Sequence, residues 1–527
     1  MASGPASFIW CGPERGRFSL SKRWTWAIFT AILLIAAGLR LYEFEAVPPG
    51  LYLDEAADGA NAVQAWETRQ FKVFYPEDNG REGLYINVSS VFIHFFGSTA
   101  WAVRLPAAVF GILTVVGIFA LTVELTTPTV ALAAAFFLAT SYWHVNFSRI
   151  AFRAIGAPFF LVWALYFLLL GFRRRLRAPE FAISSSLAGV LYGLGFHTYI
   201  AYRITPVLVI VVLSFKFLEA WRGKWMHRYS LAVGLFLATA AVAVYPLLAY
   251  LLSHPDMATK RVNEVSILRS EHPSQDLAKN ILLTAGMLYW QGDANWRHNY
   301  DHRPEVFWPV ALFMTIGMAF AIREMLEPAS PEVSLPPVLL LLWIVCGAVP
   351  AVLSSENVPH ALRSILMLPT IAVFAAIGAT QSLSVLTRWV SPTKLAAAVI
   401  LLACALVGET AYTYFHLWAR APQTSAAFDV KNALLARRVN SLPLERTKVV
   451  AIQGPSEAAD PFFLPLVSLR FLTRSVTLEQ QKESRISYYT PLTFPVPLQG
   501  DSEANFCADV MAAMPEALVV CLGDQQR

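Results

Sequence analysis

The stretch PPGLYLDEAADG places Asp54 and Glu55 directly after the first strongly apolar segment of the chain. Carboxylates in such a place can take up a proton or hold a cation. The run LDEAADGANAVQAWETRQ has helical character, and on a helix Asp54, Asp58 and Asn61 share one face. A structural role for Asp54 is equally well served by the same position, because Asp is a favoured helix N-cap, stabilising by about 1 kcal/mol. The second polar concentration is QGDANWRHNYDHRP (291–304). His298 and His302 in it are four apart and would suit a metal on a helix, but Asn295, Asn299 and Pro304 argue against a helix there. We therefore expect no metal site in this stretch and no required cofactor, with a divalent metal as the alternative.

The elements that must position these residues are membrane spans. The chain has 527 residues, of which 56% are hydrophobic and only 15% charged. A soluble domain carries about 25% charged residues. The mean hydropathy is +0.49. The formal net charge of +5 does not argue for a nucleic-acid partner, since basic residues in a membrane protein mark cytoplasmic loops. Apolar runs predict about 11 (11–13) transmembrane helices, near 24–42, 104–124, 128–147, 154–171, 183–199, 204–220, 229–252, 306–324, 336–353, 364–386 and 395–417. Arg15, Arg17, Lys22 and Arg23 precede the first run without a cleavage signal, which reads as a retained signal anchor. The basic loops with Arg173, Arg174, Arg175 and Arg177, then Lys216, Arg222, Lys224 and Arg228, then Arg323, Arg388 and Lys394 put the N-terminus in the cytoplasm. An odd number of spans then puts the C-terminus outside.

This orientation sends the long loops 43–103 and 253–305, and the tail, to the outer face. EGLYINVSSVFIHFFG (82–97) is too short and polar to span and reads as an interfacial helix, joined to the first by FKVFYPEDNGREG with its Asn79-Gly80 turn. From about 419 the composition changes. RTKVVAIQG, SLRFLTRSVTLEQ and EALVVCLGD read as strands, and ADVMAAM as a helix. We expect residues 1–418 to form the transmembrane domain and 419–527 a small outer α/β domain. There Cys507 and Cys521 could pair in an oxidising compartment.

The series GLYLDEA (50–56), NGREGLYI (79–86), RLPAAVFG (104–111), FSRIAFRA (147–154), HTYIAYRITP (197–206), QGDANWRHN (291–299) and NVPHALRSILMLP (357–369) resembles the polyprenol-phosphate-sugar-dependent glycosyltransferases. These have the GT-C fold and include the protein O-mannosyltransferases of glycosyltransferase family 39 and the aminoarabinose transferases of lipid A. The pieces occur in the family's order over roughly residues 20–370. In one respect the chain departs from it. Many members carry an acidic residue after the Arg of the FSRIAFRA-like motif, where this chain reads Arg153-Ala154-Ile155.

The resemblance implies transfer of one sugar from a polyprenyl phosphate to an acceptor protein, lipid or glycan. The leaving phosphate already carries charge and needs cations. The acceptor needs one general base, so a single carboxylate suffices where ordinary glycoside hydrolysis uses two. Asp54 takes that role, with inversion at the anomeric carbon, and Glu55 supports it by orienting the acceptor or balancing a cation. Candidates for the donor and its phosphate are Arg81, Glu82, Arg149, Arg153, His197, Tyr199, Tyr202, Arg203, Arg297, His298, Asn299, His360 and Arg363, because arginine binds phosphate in a bidentate way and stays charged. Arg303 joins them, with Lys260, Arg261 and Asn263 as weaker donor-site residues. Arg149 and Arg153 could instead snorkel from span ends. The implied setting is a multi-pass protein of a bacterial inner membrane, in contact with membrane lipids. The competing reading is a lipid-linked-sugar flippase or other transporter. Apolar span centres, the lack of an internal repeat and the gathering of polar residues on one face speak against it.

Overall fold

The computed structural model describes residues 21–77, 80–173, 176–328, 334–453, 460, 462–495 and 506–522. The basic residues Arg15, Arg17, Arg174 and Arg175, the Asn79 turn residue and the end of the RTKVVAIQG segment at Gly454 lie outside the described residues. The chain divides into two compact units, Met1–Tyr42 with Ala107–Trp418, and Glu43–Pro106 with Ala419–Arg527. The sequence reading had placed the 43–106 segment with the spans. In the structure its helices pack on the tail instead. The division falls inside one helix, Ala100–Leu125, beside the internal Pro106, where a ladder hydrogen bond is necessarily missing.

The first unit is a bundle of long apolar helices. Among the described residues nine helices are long and apolar enough to cross a membrane: Lys22–Leu41, Ala100–Leu125, Arg153–Gly171, Ile200–Arg222, Met226–Ser253, Trp308–Leu326, Leu335–Val352, Ile365–Leu386 and Pro392–Trp418. The other two expected spans are helical but weaker. Pro128–Ala139 is 12 residues long and is followed by the separate short helix Tyr142–Phe147, while Ala178–Gly195 carries a run of three serines. Small residues let the helices approach, as packing in an apolar solvent requires. A Cβ on Gly317 would lie 1.9 Å from the Phe374 carbonyl oxygen, and one on Gly378 would lie 1.9 Å from that of Phe313. Gly189 and Gly193 similarly bring Ala178–Gly195 against Met226–Ser253.

The second unit carries a three-stranded parallel sheet in the order Ile486–Tyr489, Lys448–Ile452, Leu518–Leu522. Its central strand, KVVAI, is buried along its whole length. Val450 and Ile452 pack with Ala436, Leu466 and Leu469 on one face, and Val449 and Ala451 with Phe506 and Val510 on the other. Such two-sided cover explains the unbroken apolar strand. SLRFLTRSVTLEQ is not a strand. It contributes to the helices Leu464–Leu472 and Leu478–Ser484. Its apolar–polar alternation mimics a strand, but the segment follows a Pro465 helix start and is buried without a break from Leu466 to Phe471. The helix read in ADVMAAM is present as Phe506–Ala513, and Cys507 pairs with Cys521 of the edge strand.

Candidate functional site

The candidate carboxylates lie on the helix Leu53–Thr68 of the second unit. Asp54 is not its N-cap. Tyr52 is, and the exposed end is closed by Glu55, whose Oε2 accepts from the Tyr52 backbone N–H at 3.1 Å. Asp54 is the second residue of the helix and is half-buried, while Glu55 is 1% exposed. Glu55 faces Arg104, which donates from Nε to Oε1 at 2.8 Å and from Nη2 to Oε2 at 2.7 Å. The same guanidinium donates to the carbonyls of Pro48 and Gly50, at 2.8 and 3.0 Å. Arg104 thus ties the start of its own helix to the turn that launches the carboxylate helix. This residue was passed over in the sequence, where it stands as the R of RLPAAVFG at a span start.

One turn on, Asp58 accepts from Arg81 at 2.5 Å, with both side chains almost fully buried. Arg81 arrives on a two-residue strand, Arg81–Glu82, paired antiparallel with Phe74–Tyr75. Glu82 beside it is 5% exposed. The ribbon turns in at Gly83, where a Cβ would stand 2.1 Å from the Lys72 carbonyl oxygen. Asn61, on the same face, is wholly buried. The back of this helix packs on the tail helix Leu464–Leu472, with Gly59 against the Phe471 ring. The carboxylates are therefore mounted partly on the tail.

The other candidates belong to the first unit. Arg149 is 0% exposed, donates to the Leu39 and Tyr42 carbonyls at 3.1 and 2.7 Å, and stacks on the Tyr414 and Phe415 rings. It is neither at the surface nor snorkelling. Arg40, inside the first apolar helix, is equally buried and donates to His144 and to the Ala36 and Ala139 carbonyls. A charge within a span was the signal for it, and it was missed. Arg153 opens the short 3-10 turn Arg153–Ile155 and is half-buried. His197 bonds the Ala243 carbonyl oxygen at 2.9 Å, and Tyr202 is buried against Tyr192 and Phe196. Tyr199 is half-buried, whereas Arg203 is exposed and reaches the Ala258 carbonyl at 3.4 Å.

The loops 287–307 and 353–364 meet at Asp293. His298 Nδ1 lies 2.8 Å from Asp293 Oδ2, and the Ala361 backbone N–H donates to the same oxygen at 2.8 Å. His360 Nδ1 lies 3.8 Å from it. His302 does not join His298. Asp301 and His302 have positive φ in a turn, so the helix that their spacing would need is absent. Asn299 donates to the Asp293 carbonyl, and Arg297 Nε to Asn295 Oδ1 at 3.1 Å. Arg363 donates to Ser354 and to the Glu356 carbonyl. Arg303 is held by Glu409 at 2.6 Å.

The electrostatics follow from burial. Burial pushes the Asp293 carboxyl up, but the charge and hydrogen bond of His298 outweigh it and hold the group below its ordinary value. Burial, then the charge of His298, hold the His360 imidazole well below its ordinary value. Glu305, whose Oε1 accepts from the Asp293 N–H at 3.0 Å, is pushed well above the usual carboxylate range by burial and by the Asp293 charge. Burial also lowers Arg297.

Residues 87–250 match the family model described as dolichyl-phosphate-mannose-protein mannosyltransferase. In three dimensions the chain is similar to ArnT from Cupriavidus metallidurans, solved bound to undecaprenyl phosphate. The identity is 13% and the TM-score 0.50, over 95% of this chain and 90% of that one. It is also similar to the oligosaccharyltransferase AglB from Archaeoglobus fulgidus, solved with an inhibitory peptide and a dolichol-phosphate, at 15% identity and TM-score 0.50. That match covers 86% of this chain and 64% of AglB, so the chain spans under two thirds of that relative's length. No curated protein matches the chain. The chain has the GT-C fold.

Proposed function

We propose that this protein is an inverting glycosyltransferase that moves one sugar from a polyprenyl-phosphate donor to an acceptor hydroxyl or amine. The observation that carries the proposal is Asp54. It is a half-buried carboxylate one residue from a fully buried, arginine-clamped Glu55, in a chain of GT-C fold. The clamp fixes the helix start and so fixes Asp54, while Asp54 itself keeps access to solvent. In the reaction Asp54 takes the acceptor proton as the acceptor atom bonds to the anomeric carbon. The bond from that carbon to the phosphate oxygen breaks, and the electron pair leaves with the lipid phosphate. The step itself needs no metal ion.

For the phosphate we favour Arg203 and Arg297. Arg203 is exposed and Arg297 only partly buried, whereas Arg149 and Arg81 are themselves buried and would have to leave their partners. The tail, against which the carboxylate helix packs, contributes to the choice of acceptor. The setting is the outer face of a bacterial inner membrane, with the N-terminus in the cytoplasm. The positive-inside pattern supports that orientation.

The test is turnover of a panel of labelled polyprenyl-phosphate monosaccharides by the purified protein, beside Asp54→Asn. We expect a loss of about 10²–10⁴-fold in the variant, with the melting temperature kept. A folded Asp54→Asn protein of near-normal activity would remove Asp54 as the base. Failure of every donor with a cell-extract acceptor mixture would remove the transferase reading.

A further inference from the structure

We propose that Asp293, His298 and His360 form a binding site for a zinc ion that clasps the loops 287–307 and 353–364 together. One donor atom from each residue lies within 4.8 Å of the others. The side chains of Asp293 and His298 are 3% and 4% exposed, and that of His360 is 12% exposed. Zinc bonds to nitrogen and oxygen are about 2.0–2.1 Å long, so neighbouring donors around a tetrahedral ion stand about 3.4 Å apart. The two imidazole nitrogens stand 2.8 and 3.8 Å from Asp293 Oδ2, on either side of that spacing. Two imidazoles and a carboxylate, without thiols, are a donor set that suits zinc.

A hydrogen-bonded Asp–His pair does not account for the whole arrangement. Such a pair needs one imidazole, and His298 supplies it. His360 is brought in from a second loop, 62 residues further along the chain, and its Nδ1, 3.8 Å from the carboxylate, takes only a long 3.4 Å hydrogen bond from the Arg363 backbone N–H. Its ring lies 4.9 Å from that of His298, centre to centre. Two imidazoles, one buried and one half-buried, converging on one carboxylate oxygen are what a shared ion would hold in place. The surroundings also have the second layer that metal ligands require. Backbone N–H groups of Asn295 and Ala361 donate to the two oxygens of Asp293 at 2.8 Å each, fixing the carboxylate. The rings of Phe147 and Phe152 pack on His298 at 5.5 and 5.6 Å. Asn146 donates to the Arg297 and His298 carbonyls, which joins the short helix Tyr142–Phe147 to the cluster. The more exposed His360 marks the route of entry, and a water completes the ion's coordination.

The role is structural. The ion would lock together the two loops that carry Arg297 and Arg363. This inference does not depend on the sugar-transfer reading, and neither does its test. The full-length chain is purified in detergent, its metals are measured by mass spectrometry, and melting is followed after chelator treatment and after return of zinc chloride. We expect about one zinc per chain, falling to about a tenth of that in His360→Gln, as loss of one of three ligands should produce. Chelator-treated wild type should gain melting temperature on zinc return, and His360→Gln should not. Should His360→Gln fail to fold, His360→Cys keeps a zinc donor and should retain the metal. Wild type that neither carries zinc nor responds to it, or His360→Gln that holds as much zinc as wild type, would overturn the proposal.

Discussion

Two buried carboxylates, one in each unit, are stabilised in opposite ways. Glu55 is met by a guanidinium from a helix 49 residues away in sequence, in a bidentate pair with 0% exposure on both sides. Asp293 is met by two histidines and two backbone N–H groups, none of which carries a permanent charge. Arginine stays protonated at any pH a cell offers, so the Glu55 clamp is a fixed structural element. Histidines can give up their protons and accept a metal instead, so the Asp293 cluster can respond to its surroundings. The start of the helix that carries the proposed base is thus tied down by a charge pair. In the other unit, the loop cluster has donors that a metal can set.

The sharpest way to break this comparison is Arg104→Met. It leaves Glu55 charged, buried and without its guanidinium, and strips the Pro48 and Gly50 carbonyls of their donor. Removing one partner of a buried pair costs about 3–5 kcal/mol. We expect a large fall in the melting temperature of the purified protein, with activity lost because the Asp54 helix start is released. A variant that melts like wild type would show the clamp to be dispensable.

The next effect is expected at Arg149, which the sequence offered as a phosphate ligand. The structure surrounds it with two carbonyls and two aromatic rings. Arg149→Lys keeps the charge but loses the planar fork, at a cost of about 2 kcal/mol. If its role is structural, thermal stability should drop while the Michaelis constant for the lipid donor stays near wild type. A raised constant with unchanged melting would return Arg149 to the phosphate.

What the sequence could and could not disclose divides along the same line. The carboxylate helix, the short amphipathic helix Leu84–Phe96 and most spans were legible, because local periodicity and apolar length determine them. Asp54 stood out because an acidic pair after an apolar run is rare. Arg104 could have been found as a charge at a span start, but nothing local says that it reaches back to Glu55. The Asp293 cluster was beyond local reading. Its members come from two loops, and the spacing that drew attention, His298 with His302, was the wrong one because a turn replaces the helix. The tail helix Leu464–Leu472 was misread because a short apolar–polar run fits either period.

The smallest effect sharpens the comparison with a third carboxylate. Among the described residues, Asp429 of the second unit is bonded by no arginine or histidine. It accepts from the Ser468 hydroxyl and from the Asn432 amide, the latter at 3.0 Å. Burial pushes its pKa above the ordinary value, and these hydrogen bonds only partly offset the shift. A raised carboxyl keeps its proton in the folded state while the unfolded chain has already lost it. Its contribution is therefore neutral below the unfolded value of 3.8, turns into a growing loss of stability as pH rises from there to the folded value, and stays at that full loss above it. Asp429→Asn should melt like wild type near about pH 3.5 and slightly above it near about pH 6.5, by less than about 1 kcal/mol because the site is partly open to solvent. A difference between Asp429→Asn and wild type that did not change with pH would mean that neutral partners hold a carboxylate here as well as a guanidinium does.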